Sequence, residues 1–173
     1  MIEKRVKPTV TKGAVKVPVI MQLEALECGA ASLAMLMAYY GKWVPLEQVR
    51  ADCGISRNGS TARNIYNAAK NYGFSVKGFR KSADTIRKNG QYPCIIHWNF
   101  NHFVVLCGFR GKYAYINDPE RGFVKVTAEE FDKAFTGVVV IPVPGPDFKP
   151  SGKRKSTLAF AVKIHRHSRW LFK

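Results

Sequence analysis

The stretch CGAASLAMLMAYY at residues 28–40 contains no proline and no charged side chain, and it stops at Gly41. Ala, Leu and Met favour helix, and a glycine just past the last turn is a common way for a helix to close. A helix apolar nearly all round has no side to leave in water, so the rest of the chain must wrap it. At 173 residues there is enough chain for one domain with one substantial core. Hydrophobic residues at 46% and charged residues at 23% are those of an ordinary globular protein.

Two further short helices are expected after Gly41. One has Pro45 in its first turn and runs to Cys53; the other starts at Ser60 or Thr61, runs to Tyr72 and is closed by Gly73. The texture then changes. Residues 74–80, 94–98, 102–109, 113–117 and 123–126 are β-branched or aromatic runs bounded by Gly, Asn and Pro. Thr127-Ala128-Glu129-Glu130 has the capping-box form, which predicts a short helix to about Phe135, and residues 138–143 make a last strand. Helices first and an antiparallel sheet second is an α+β layout, with the N-terminal helices packed on the sheet.

Four segments follow from this pattern: a basic, Pro-containing lead-in at 1–17, the domain at 18–143, a Pro/Gly linker at 144–156 and a basic tail at 157–173. The tail sets Leu158, Ala161, Val162, Trp170 and Leu171 among Lys163, Arg166 and Arg169. It reads either as an amphipathic helix lying on a membrane or as a disordered basic segment.

The net charge of +16 is mostly terminal. Residues 1–16 carry five bases and one acid, residues 149–173 carry eight bases and no acid, and the body keeps fifteen bases against eleven acids. No basic stripe with interleaved aromatics is expected on one folded face, which argues against nucleic acid as a partner. Basic flanks suit the cytosolic face of a bilayer bearing acidic lipids. Cys28, Cys53, Cys94 and Cys107 lack the spacing of a zinc site or a redox pair, so neither metal nor cofactor is expected. With no secretory signal pattern and no apolar run of roughly 18 residues, the sequence reads as a reduced, cytosolic thiol protein.

Cys28 stands where the apolar helix begins, and a helix N-terminus favours the thiolate. Gln22, on the segment leading in, is placed to aim an amide at the same point as the Cys28 backbone N–H, and two such donors make an oxyanion hole. Arg110-Gly111-Lys112 reads as a hairpin turn, which puts His102 opposite position 120 and Asp118 opposite position 104. Equal parity places both residues on one face, about two positions or roughly 7 Å of strand rise apart. A carboxylate that orients a histidine is the usual arrangement for a general base. Taken singly, each of these residues also has an ordinary structural role. His97 competes with His102 but has no carboxylate across the hairpin, and the other three cysteines sit among apolar neighbours as inert thiols.

Gln22, then Glu27-Cys28-Gly29-Ala30-Ala31, then His102-Phe103-Val104-Val105-Leu106, then Asn117-Asp118-Pro119 together resemble the peptidase domain of bacteriocin-type ABC transporters, the double-glycine leader peptidases. The resemblance spans about residues 18–143. Glu27 stands where many members carry Asp, a change from which little consequence is expected.

The resemblance implies a papain-like cysteine protease fold with Cys28 as nucleophile, His102 as base and then acid, Asp118 as orienter and Gln22 as oxyanion donor. It further implies a cysteine endopeptidase that removes leaders after Gly-Gly or Gly-Ala from bacteriocin or lantibiotic-type precursors, recognising an amphipathic helical leader. The implied partners are the transmembrane and nucleotide-binding domains of an ABC transporter, and the implied place is the cytosolic face of the bacterial plasma membrane. A transglutaminase-like acyltransferase using the same triad, and a non-catalytic leader-binding module, are the alternative readings.

Overall fold

The computed structural model describes residues 7–55 and 59–154. The apolar stretch is helix α1 (Cys28–Tyr39), and every one of its residues is buried. The helix closes as its glycine predicts. Gly41 adopts φ +91°, its N–H donates to the Ala38 carbonyl at 3.1 Å, and the Lys42 N–H donates to the Met37 carbonyl at 2.8 Å. A β-carbon would strain that left-handed conformation. Helices α2 (Leu46–Asp52) and α3 (Ala62–Asn71) pack against α1. Thr61 caps α3 by accepting the Asn64 N–H.

The strands are β1 (Phe74–Arg80), β2 (Cys94–Trp98), β3 (His102–Arg110), β4 (Tyr113–Asp118), β5 (Gly122–Thr127) and β6 (Phe135–Pro144). They form one sheet in the order β1-β6-β2-β3-β4-β5, antiparallel throughout. Helix α4 (Ala83–Asn89), between β1 and β2, was not expected from the sequence. Ser82 caps it by accepting the Thr85 N–H, but Ile86 is its single buried residue, too little apolar periodicity to stand out. Helix α5 (Ala128–Ala134) begins with both halves of the predicted capping box formed.

Each face of the sheet has its own core. Phe103, Val105 and Cys107 of β3 join the cluster built on α1 and α3, while Val104 and Leu106 join Ile86, Ile116 and Phe131 on the other face. Because β3 is covered on both sides, its sequence is a continuous apolar run rather than an alternating one.

The flanks are also part of the packed body. Before the expected start at residue 18, Val10 bridges Tyr92 and Ala14 bridges Gly108, while the Tyr39 hydroxyl donates to the Pro8 carbonyl at 2.9 Å. Within the expected linker, Phe148 is only 8% exposed, its ring centroid is 4.5 Å from that of Phe74, and the Ser151 carbonyl accepts the Trp43 N–H at 2.7 Å. The reason is the helix itself. Its last turn, with Tyr39 followed by Tyr40, is as apolar as its first, and these two segments supply the cover. The expected membrane-facing tail at 157–173 lies outside the described residues. Among the described residues no helix is long and apolar enough to cross a membrane.

Replacing Phe148 by Ala is expected to cost roughly 3–5 kcal/mol, read as a lowered midpoint of urea denaturation. A freely moving linker would give no change.

Candidate active site

One helical turn after Cys28, the Ser32 hydroxyl is fully buried and donates to the Phe103 carbonyl at 3.1 Å. This bond joins α1 to β3 at the residue next to His102. It fixes the helix start against the strand start, and buried polar groups of this kind tolerate little displacement.

His102 Nε2 lies 2.8 Å from Asp118 Oδ1. That oxygen also accepts the Glu120 N–H at 2.8 Å, and Arg121 Nε approaches Oδ2 at 3.6 Å. The expected pairing therefore forms, but by a route the sequence does not display. At the hairpin tip Arg110 pairs with Tyr113, a register that would put His102 and Asp118 on opposite faces if continued. Cys107 is passed over as a β-bulge, after which Leu106 pairs with Ile116 and Val105 with Asn117. The single-residue shift restores equal parity. At the bulge Gly108 has φ +130°, and a β-carbon there would lie 2.1 Å from the Gly13 carbonyl oxygen of the crossing N-terminal segment.

Burial alone would pull the His102 imidazole down, but the hydrogen bond with Asp118 and the influence of nearby Cys28, together with their charges, raise it to about 9. Burial would raise the Asp118 carboxyl, yet the bonds from His102 and the Glu120 N–H hold it below its usual value. Asp118 occupies Nε2, which leaves Nδ1 as the other ring nitrogen of His102, and Cys28 is buried at 5% exposed. His97 instead bonds Thr136 Oγ1 through Nδ1 at 2.9 Å, and burial and the nearby His102 lower its pKa. Burial pushes Cys53 and Cys107 up to about 12 and raises Cys94 as well. Among the described residues no group of three or more His, Cys, Asp or Glu is placed to hold a metal ion.

Gln22, Trp98, Asn99, His102 and Asp118 line one cleft of about 460 Å³. The Gln22 N–H donates to the Pro119 carbonyl at 2.9 Å, which ties the loop before α1 to the turn after Asp118. Its Oε1 is buried without a partner among the described residues. Trp98 has two roles, because it lines the cleft and also packs on Phe131 with centroids 5.7 Å apart.

Glu27 is bonded more extensively than its place in the sequence displays. It is 2% exposed, and its carboxylate accepts the N–H groups of Leu23 at 2.9 Å and Glu24 at 3.1 Å and pairs with Arg50 at 2.9 Å. An acidic residue adjoining an apolar helix was the available signal.

The peptidase C39 family profile matches residues 16–147. The chain belongs to the peptidase C39 family. C39 members are cysteine peptidases.

The chain is 37% identical over 134 residues to the colicin V secretion/processing ATP-binding protein of Escherichia coli, an overlap of 78% of this chain and 19% of that protein. It is 30% identical over 157 residues to the lactococcin-G-processing and transport ATP-binding protein of Lactococcus lactis subsp. lactis, covering 87% and 22% respectively. The chain thus spans about a fifth of the length of these curated relatives.

Among solved structures, a double glycine motif protease from an AMS/PCAT transporter, crystallised in complex with the leader peptide, is 66% identical with a TM-score of 0.77, over 79% of this chain and 97% of that one. The peptidase domain of Streptococcus ComA, a bifunctional ABC transporter, is 25% identical with a TM-score of 0.69, over 73% and 97%. The C39 domain here has the expected papain-like α+β fold.

In an NMR titration His102 is expected to lose its proton near pH 9 and His97 below 6.5. Asp118→Asn should bring the His102 midpoint down sharply, because burial is then less opposed. A His102 midpoint unchanged by that substitution would contradict the pairing.

Proposed function

We propose that this domain is a cysteine endopeptidase that removes N-terminal leaders after a Gly-Gly or Gly-Ala pair from bacteriocin or lantibiotic-type precursor peptides. The observation that carries the reading is the His102 to Asp118 pair at 2.8 Å, set at the strand end that Ser32 locks to the start of α1. A protonated imidazole facing a sulfur at a helix start is the electrostatic setting of a thiolate–imidazolium pair.

In this mechanism the Cys28 sulfur attacks the carbonyl carbon of the second glycine or the alanine. The tetrahedral oxyanion receives hydrogen bonds from the Cys28 backbone N–H and the Gln22 side-chain amide. His102 gives its proton to the leaving amine as the C–N bond breaks, which leaves a thioester on Cys28. It then takes a proton from water as the thioester is hydrolysed, and Asp118 holds the ring in one orientation throughout. Trp98 and Asn99 on the cleft wall restrict the room beside the scissile bond, which suits residues with little or no side chain.

An amphipathic helical leader docking away from the cleft would supply the binding that two small residues cannot. The relatives' names and lengths support a further reading, that the domain serves an ABC transporter, and the basic flanks suit a meeting with its cargo at the cytosolic membrane face. The paired His102 and Asp118 favour hydrolysis over a purely recruiting module, which would need neither.

Cys28→Ala is expected to abolish cleavage of a synthetic double-glycine precursor with the fold retained; continued cleavage would remove Cys28 as nucleophile. Mass spectrometry of the wild-type products should show cut ends that have gained water. An amine adduct would point to acyl transfer instead. Near neutral pH iodoacetamide should modify Cys28 ahead of Cys53, Cys94 and Cys107, whose burial disfavours the thiolate.

A further inference from the structure

Glu27 stands at the N-cap of α1, yet its side chain makes no bond to the first turn of its own helix. It turns back instead. One oxygen, Oε2, accepts the N–H groups of both Leu23 and Glu24, the two residues directly after Gln22. On its other side Gln22 is held through its own N–H to the Pro119 carbonyl. Leu23 is 73% exposed and Leu26 is 44% exposed, so apolar packing does little to set the loop's shape, and its other described bonds, Glu27 N–H to the Glu24 carbonyl at 3.2 Å and the Ser60 hydroxyl to the Leu26 carbonyl at 3.5 Å, do not reach Gln22. A carboxylate one residue before Cys28 would oppose negative charge on the sulfur, and Arg50 Nη1 offsets it from α2 at 2.9 Å while also meeting Glu24 at 3.2 Å.

We infer that Glu27 is a positioning residue that clamps the Gln22–Glu27 loop so that the Gln22 amide and the Cys28 backbone N–H converge on one oxyanion. Arg50 completes the clamp by neutralising the charge that the geometry requires. The inference rests on the reading of Cys28 as nucleophile and Gln22 as oxyanion donor. Its consequence is specific: Glu27 acts through Gln22 on the cleavage step and not on the nucleophilicity of the sulfur.

The test is a double-mutant cycle on the intact domain. It measures kcat and KM for a synthetic double-glycine precursor and the iodoacetamide rate at Cys28. Glu27→Gln should lower kcat about tenfold or more, up to the roughly 10²–10³-fold that outright loss of an oxyanion donor costs, with KM and the alkylation rate undiminished. Combined with Gln22→Ala it should be no slower than Gln22→Ala alone, because the clamp has nothing left to position. Glu27→Asp, with the charge kept and the reach shortened, should fall between wild type and Glu27→Gln. If Glu27→Gln is unfolded at assay temperature, the same cycle is run with Glu27→Asp. Losses that multiply in the double variant, or alkylation that falls in step with kcat, overturn the clamp and leave the nucleophile intact. Cleavage by Cys28→Ala instead overturns the underlying reading.

Discussion

The buried helix α1 is the constraint from which the rest of the molecule follows. A dozen residues with no polar face have to be enclosed, and the enclosing elements are the sheet on one side, α2 and α3 on others, and the two flanking segments at its far end. Against the sheet, Ser32 makes this apolar contact directional. Its bond to the Phe103 carbonyl fixes rotation and depth of the helix against β3. The thiol at the helix start and the imidazole at the strand start are therefore held by the packing of the whole domain, and no mobile loop has to bring them together.

The site combines charges whose partners differ in kind. Asp118 is satisfied by the imidazole and by a backbone N–H, and the favourable field outweighs the burial that would otherwise neutralise it. Glu27 is satisfied by two backbone N–H groups and an arginine. One carboxylate bonds a ring; the other bonds a loop. Each buried charge is compensated within its own short network, so the two need not compete across the cleft.

Much of this could be read before any coordinates were seen, for a physical reason. The helix, its glycine stop, the capping box at Thr127 and the β-branched strands are local signals, and local signals are what a sequence displays. A hairpin centred on Gly111 gives the relation of His102 to Asp118, but the ladder starts at Arg110 and Tyr113, and only the bulge at Cys107, which no local signal displays, brings it to that register. Helix α4 was missed because one buried isoleucine makes no pattern. The packing of Phe148 and of residues 7–17 was missed because proline and glycine suggest a linker, while the need for cover lay in a helix far away in the chain. Glu27 was undervalued for a similar cause: its partner Arg50 is 23 residues distant, and nothing local shows that the two meet.

The bulge at Cys107 gives the hairpin a tolerance rule. Strand pairing has a period of two, so one residue added within the ladder, between the tip and the paired side chains, would turn one of them away from its mate. Such a lengthening survives only if a second irregularity elsewhere along the ladder cancels it, whereas adding two residues leaves the alternation untouched. Related domains should therefore vary in this hairpin by even steps, or by odd steps accompanied by the gain or loss of a glycine-backed kink. The pattern of gaps in their aligned sequences would then carry a trace of catalytic geometry at a site some distance from the catalytic groups.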